Sequence, residues 1–447
     1  MVLGNNGKDE IMRILFCVEF YYPSVGGAQE VMRQLAERLV SYGHEVSVVT
    51  SKISGRPLFH NGVKICEFEL SGNNVRGLEG SIKEYQSFLV NADIDVIMFY
   101  AAQQWTFDAA WPVLKEIDAK KVFVPCGYSG LYNENYTEYF SELVGILKHF
   151  DRAIYHAENY RDINFSKQHN IKNELVIPNA ADIKEFSVSK DLNFRDSISV
   201  DQDALIFLTV GTMTGSKGHL ELVQAYAKLK LNGRKSALIL NGNQPEFNGK
   251  NSSIMKKIVG LLKQYGWIYT AKHLFKSILI RCGLYYGTSN SIAGWAQKIN
   301  KTQAPDKKVI IVDMPRDRLV QAYLNADLFV FASNIEYSPL VLFEACAAGL
   351  PFLTVPVGNS KEIIKWTGGG ELCEAPVDEY GFTKVEPLDL AIKIQEMASS
   401  PLKLDTLAKR GLEMSNKRFN WDSISKEYEQ LFLELLKNDK VKNLVNE

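Results

Sequence analysis

Cysteine is scarce in this chain of 447 residues, and the six present, Cys17, Cys66, Cys126, Cys282, Cys346 and Cys373, are widely scattered. They form no metal-ligand spacing and no redox pair, which leaves reduced core thiols in a cytosolic setting as the reading. An excess of one charge is missing too: the formal net charge of −1 argues against a dedicated nucleic-acid binder. No uninterrupted apolar stretch is long enough to cross a bilayer, and Met1 to Glu10 is polar with no apolar signal core, so any membrane contact is expected to be peripheral. The Gly26-Gly27 pair is not the spaced Gly-x-Gly-x-x-Gly fingerprint, which argues against a dehydrogenase.

What is there is an ordinary globular composition, 46% hydrophobic and 23% charged, in a chain too long for one hydrophobic core. Two domains follow. The first half opens on a buried strand, Met12 to Val18, then the loop Tyr21 to Gly27 and a helix ending at Gly43, whose apolar side carries Ala28, Val31, Met32, Leu35 and Leu39. Apolar runs recur at 45–49, 95–99, 121–125, 152–155 and 175–178. The second half repeats the plan with a strand over 204–211, a polar loop over 212–217, a helix over 219–230, and strands near 237–240, 309–312 and 328–331. Strands alternating with helices predict an α/β fold of doubly wound parallel sheets, one in each half. The segment from Pro178 to Val200 is polar and weakly periodic and reads as the linker.

Glu336 and Glu344 stand eight positions apart in the second half. Asp327 to Ala332 before them reads as a buried parallel strand, and Pro339 suits the first turn of a helix, where its missing N–H costs nothing. The first Glu therefore belongs on the loop after a strand and the second inside the next helix, with Ser338 placed to cap it. The free amides of Leu340 and Val341 suit a diphosphate, and Glu344 can accept hydrogen bonds from two ribose hydroxyls. An unpaired carboxylate inside the apolar run Leu340 to Ala345 is costly, which favours a functional reading of Glu344. Together with the exit at Ala348 to Pro351, this arrangement resembles the E-x7-E signature of retaining glycosyltransferases of family 4, which have the GT-B fold. The Gly26-Gly27 loop, Ile177-Pro178-Asn179, Val210-Gly211, Lys217-Gly218-His219 and Phe419-Asn420-Trp421 extend the resemblance over most of the chain.

The resemblance implies two Rossmann-like domains facing each other across a cleft: an acceptor-side domain over 1–190, a nucleotide-sugar-binding domain over 201–419, and a last helix within 420–447 that crosses back onto the first. It implies a catalytic pair, Lys217 against the donor diphosphate and Glu336 facing the donor sugar hydroxyls. Gly211 opens the loop that carries Lys217, and the main chain of Asp313 and Met314 would line the nucleobase. Glu362 stands in a segment similar to Gly-Gly-x-x-Glu, with Asn359 for the second Gly. Gly26 and Gly27 either let a backbone approach a phosphate or sugar or make a simple tight turn. The chain departs from the pattern twice. Thr212 stands where many members carry Arg, and the segment Cys126 to Leu131 lacks the His often found there, which leaves Tyr128 and Ser129 as acceptor contacts or as part of a structural turn. No Asp-x-Asp occurs where a GT-A enzyme needs one, so no catalytic metal and no resident cofactor are expected, only a nucleoside-diphosphate sugar as co-substrate.

Between Leu240 and Val309 the family needs one helix, yet residues 246–307 form an insertion with ten Lys or Arg against Glu246 and Asp306. Ile268, Ala271, Leu274, Phe275, Ile278, Leu279 and Cys282 fall on one helical face edged by Lys272 and Lys276. The segment 267–286 suits either an anionic membrane surface or packing on its own domain or a second subunit.

These features lead to a retaining enzyme that moves a hexose-type sugar from a nucleoside diphosphate to a hydroxyl of a glycan or lipid-linked glycan. The expected setting is glycan or polysaccharide biosynthesis in the cytoplasm, with peripheral contact at the inner membrane face open. Two rivals stand beside it: a non-hydrolysing GT-B nucleotide-sugar epimerase, and a scaffold subunit that has kept the fold without turnover. Thr212 and the missing His favour the scaffold; the presence of both Glu residues and Lys217 opposes it.

Overall fold

The computed structural model describes residues 11–243 and 291–446, the last nine as backbone only. The amphipathic segment 267–286 and most of the 246–307 insertion lie outside the described residues. The first half contributes β1 (Arg13–Cys17), β2 (Glu45–Ser51), β3 (Phe59–His60), β4 (Val63–Phe68), a side hairpin of β5 (Leu70–Asn73) and β6 (Gly77–Gly80), then β7 (Val96–Tyr100), β8 (Lys120–Val124), β9 (Arg152–Tyr155) and β10 (Glu174–Val176). They form a sheet in the order β10-β9-β8-β7-β1-β2-β4-β3, parallel except where β3 meets β4. The second half contributes β11 (Leu205–Val210), β12 (Ser236–Asn241), β13 (Lys307–Val312), β14 (Leu328–Phe331), β15 (Phe352–Thr354) and β16 (Gly370–Leu372), all parallel in the order β13-β12-β11-β14-β15-β16.

Central strands of such sheets are covered on both faces, so they are apolar throughout rather than alternating. Every residue of β7 and of β12 is buried accordingly. The helices that position the cleft are α1 (Gly27–Ser41), α2 (His219–Lys228), α3 (Arg316–Asn325), α4 (Leu340–Ala347), α5 (Ser360–Thr367) and α6 (Trp421–Asn446). Strand order reverses between β1 and β7 in the first sheet and between β11 and β14 in the second. Crevices at such reversals, beyond the carboxyl ends of the strands, are where open α/β sheets bind ligands.

The segment 178–200 is not the polar linker its composition suggests. Phe186 and Phe194 enter the core of the second domain beside Leu205 and Tyr323, so most of this stretch is structurally part of that domain. The chain crosses between the domains a second time at Phe419. There Ala181 N donates to Phe419 O and Trp421 N to Ala181 O, both at 3.2 Å, which laces the two crossings together. From that point α6 lies on the first domain. Trp421, Ile424, Tyr428 and Phe432 share one apolar cluster with Met12, Ile14, Val31 and Leu35, and Asp422 accepts from Arg38 Nε at 2.6 Å.

Candidate active site

A cavity of about 310 Å³ opens between the domains at both reversal points. The first domain lines it with Gly27, Ala28 and Val31 at the start of α1, with Tyr100 and Cys126 at the ends of β7 and β8, and with His156 and Asn179. The second lines it with Val210 to Thr212, Lys217, Phe331 and the run Glu336 to Val341.

Lys217 and Glu336 meet on the second-domain side. Lys217 Nζ stands 2.5 Å from Glu336 Oε1, and Ser333 Oγ donates to the same oxygen at 3.0 Å. Gly218 makes this approach possible. It has φ +68°, and a Cβ there would sit 1.7 Å from the Ala332 carbonyl oxygen, so only glycine lets the loop after β11 lie against the end of β14. His219, next in the chain, is buried with neither ring nitrogen hydrogen-bonded, and burial lowers its pKa to about 4.

The start of α4 differs from the expected cap. Pro339 occupies the N-cap position, the helix begins at Leu340, and no side chain caps it. Ser338 Oγ is buried without a hydrogen-bond partner, and the residue lines the cavity. The amides of Leu340 and Val341 have no backbone acceptor, as expected for a helix N-terminus, and both residues line the same cavity. One orphaned hydroxyl and two free amides thus belong to the same cavity wall, donors of the kind that bind a diphosphate.

Glu344 is buried, 9% exposed, but it is not the unpaired carboxylate that the apolar run suggests. Its Oε2 accepts from the Tyr323 hydroxyl at 3.0 Å and its Oε1 lies 2.7 Å from Arg316 Nη2, both groups coming from α3. Arg316 is shared with Glu185 at 2.5 Å, and the two carboxylates hold the guanidinium charged.

Behind the cavity the domains are fastened by hydrogen bonds. The Tyr337 hydroxyl accepts from His156 N at 2.8 Å and bonds the buried carboxyl of Asp162, whose pKa burial raises to about 6. Asn359 Nδ2 donates to His156 O at 2.8 Å. The Glu362 carboxylate accepts the amides of Glu158 and Asn159, each at 2.8 Å, which gives this residue a domain-fastening place outside the cavity. Asn179 Nδ2 donates to Ser338 O at 3.1 Å and the Tyr160 hydroxyl to Glu336 O at 2.7 Å. His156 is also a cavity residue: Nδ1 donates to the Ile177 carbonyl at 2.8 Å, Nε2 faces the Tyr100 hydroxyl at 3.3 Å, and burial lowers its pKa to about 4, so the ring is neutral at pH 7.

Residues 285–385 match the family model described as Glycosyl transferases group 1. Sucrose-phosphate synthase from Thermosynechococcus elongatus superposes with a TM-score of 0.67 at 18% identity, over 96% of this chain and 100% of that one. HepE from Anabaena, solved in complex with UDP-glucose, gives 0.63 at 16% identity over 96% and 100%. WaaG, a glycosyltransferase involved in lipopolysaccharide biosynthesis, gives 0.60 at 14% identity over 94% and 99%. The chain has the GT-B fold. No curated protein sequence matches it.

The other residues singled out in the sequence divide between the cavity lining and places outside it. Gly26 precedes α1 in extended backbone, φ 173°, with no strain, whereas a Cβ on Gly27 would meet only Leu340 Cδ1, at 3.9 Å, across the cavity. Gly211 lines the cavity next to Thr212. Asp313 is exposed, and Met314 donates its amide to Asn241 Oδ1 at 2.9 Å; neither lines the cavity. Tyr128 is 1% exposed, its ring packed edge-on against Phe140 and Phe165 inside the first domain, so it offers no face to an acceptor. Ser129 is exposed, with Oγ donating to Gln103 Oε1 at 3.2 Å. Tyr100, His156 and Asn179 escape the sequence reading. Only Asn179, within Ile177-Pro178-Asn179, belonged to a recognised motif. Among the described residues no group of three His, Cys, Asp or Glu side chains is placed to hold a metal ion, and no helix is long and apolar enough to cross a membrane.

Proposed function

We propose that the chain transfers a hexose-type sugar from a nucleoside diphosphate to a hydroxyl acceptor, with retention at the anomeric carbon. The observation that carries this reading is the Lys217–Glu336 pair facing the uncapped start of α4 within one interdomain cavity. The diphosphate would lie between Lys217 and the amides of Leu340 and Val341, with the Ser338 hydroxyl as a further donor. Glu336 would accept from donor sugar hydroxyls, and Glu344 from the ribose diol once Arg316 turns toward Glu185. Gly26, Gly27 and Gly211 would border the donor, Asp313 and Met314 its base, and Ser129 the acceptor. In the step itself the bond from the anomeric carbon to the diphosphate oxygen breaks while the acceptor oxygen bonds to that carbon on the same face. The acceptor proton passes to the departing phosphate oxygen. Negative charge gathers on the diphosphate, where Lys217 and the amides stabilise it most in the transition state.

The test is nucleotide release from UDP-, GDP- and ADP-hexoses, with and without glycan acceptors and in the presence of EDTA. The expected result is acceptor-stimulated release that survives EDTA, with the donor's anomeric configuration in the product. Loss of turnover on chelation, restored by a divalent ion, or an inverted product overturns the mechanism. Release without an acceptor, accompanied by an epimerised free sugar, identifies the epimerase; no release from any donor identifies the scaffold.

The acceptor is proposed to be a glycan or a lipid-linked glycan reached from the cytoplasmic face, a reading supported by the basic residues of the 246–307 segment. Each basic residue near an anionic surface contributes on the order of 1 kcal/mol, so changing Lys272, Lys276 and Arg281 together to Glu should abolish salt-sensitive binding to phosphatidylserine vesicles. Wild-type protein that ignores such vesicles at low salt, or a triple variant that instead changes oligomeric state, rules this out.

A further inference from the structure

Outside the cavity the two domains also meet through exposed aromatic rings, where solvent would favour polar side chains. Tyr132, on the loop after β8, and Tyr380, on a turn of the second domain, are 48% and 45% exposed, yet their rings meet edge to face with centroids 5.9 Å apart. The Arg161 guanidinium lies 5.6 Å from the Tyr132 ring centre and donates to the Tyr160 hydroxyl at 2.7 Å. That hydroxyl donates to the Glu336 carbonyl at 2.7 Å. A continuous line of contacts therefore joins the exposed pair to the loop that carries Glu336.

The turn bearing Tyr380 is built to hold it out. Asp378 Oδ1 accepts the amides of Tyr380 at 2.9 Å and Phe382 at 2.8 Å, Gly381 takes φ +79°, and Val377 pairs with Thr383 across the base. Thr383 Oγ1 anchors that base on the Pro356 carbonyl at 2.7 Å. On the other side of the turn, Phe382 and Val377, 46% and 49% exposed, line a groove of about 560 Å³ together with Asn334, whose buried Oδ1 has no partner. Leaving these side chains about half exposed forgoes burial that the fold could have had, and a contiguous exposed apolar patch marks a binding surface.

Aromatic faces flanked by the carboxylates of Asp378 and Glu379 suit a neutral pyranose. Its C–H bonds, polarised positive, lie on the electron-rich ring face while its hydroxyls donate to the oxygens at the rim. We propose that Tyr132 and Tyr380 form a saccharide platform, one wall from each domain, that seats a sugar ring of the acceptor. Only the word acceptor rests on the glycosyl-transfer reading; the sugar site stands on its own geometry.

Saturation-transfer NMR on the full chain with methyl α-glucopyranoside, methyl α-galactopyranoside and methyl α-mannopyranoside tests it without requiring turnover. Transfer to the ring C–H protons of at least one glycoside is expected. It should be lost in Tyr132→Ala and in Tyr380→Ala and retained in Tyr380→Trp, with thermal melting as the control for folding. No transfer with wild-type protein, or transfer that survives both alanine substitutions, overturns the platform. A wild-type chain that shows this transfer yet releases no nucleotide from any nucleotide sugar would sink the proposed function and leave the platform standing.

Discussion

Lys217→Ala should lower kcat by about 10²- to 10³-fold while weakening the binding of free nucleoside diphosphate far less. The reason is the timing of charge. On the proposed reading the diphosphate would already have the amides of Leu340 and Val341 and the Ser338 hydroxyl in the ground state, and only as the sugar departed would it gain the extra charge for the ammonium to meet. The substitution also removes the cation 2.5 Å from Glu336, leaving that carboxylate with the Ser333 hydroxyl alone among these two partners. Steady-state kinetics beside nucleotide titration calorimetry separates the outcomes. An unchanged kcat with a raised donor KM would reduce Lys217 to a binding residue.

If Glu344 holds the ribose as proposed, Glu344→Ala should weaken nucleoside diphosphate binding by roughly 2–4 kcal/mol, because charge-assisted hydrogen bonds would be lost while their neighbours stay desolvated. The partners on α3 make a second effect unavoidable. The Tyr323 hydroxyl, on a side chain only 1% exposed, loses its acceptor at 3.0 Å, which costs about 1–3 kcal/mol of stability. Arg316 keeps Glu185. Glu344→Gln divides the two effects, since the amide oxygen can still accept from Tyr323 but the amide cannot match a carboxylate against two hydroxyls. If melting temperature falls in the alanine variant while nucleotide affinity holds, Glu344 is an anchor for α3 and not a ribose ligand.

The parts of this molecule that were legible in its sequence are those whose signals are local. Strands such as Val96–Tyr100 and Ser236–Asn241 announce themselves because a parallel strand covered on both faces must be apolar throughout. The polar loop ahead of α2 and the glycine at 218 are local as well. What stayed hidden depends on partners far along the chain. Glu344 looked unpaired because Tyr323 and Arg316 sit on a different helix, and Ser338 looked like a cap because sequence cannot say that Pro339 would take the N-cap position. Tyr128 looked available because a Gly-rich segment reads as an exposed turn, but the phenylalanines of two other helices close over it. Phe186 and Phe194 were diluted by polar neighbours, so the stretch around them passed for linker.

The fastening between the domains has an asymmetry of type. Tyr337, Asn359 and Glu362 of the second domain grip main-chain atoms of residues 156–159, while Asn179 and Tyr160 of the first grip main-chain carbonyls at 338 and 336. Each of these contacts joins one side chain to one stretch of backbone, and backbone is present whatever residue occupies the position. The sequence of the first domain can therefore drift, or be exchanged for that of a relative, without losing registry with the second, provided the backbone path at 156–159, the two gripping side chains and the Asp162 carboxyl that meets Tyr337 are kept. Recombination of one half with the other half of a relative is built into how this chain closes.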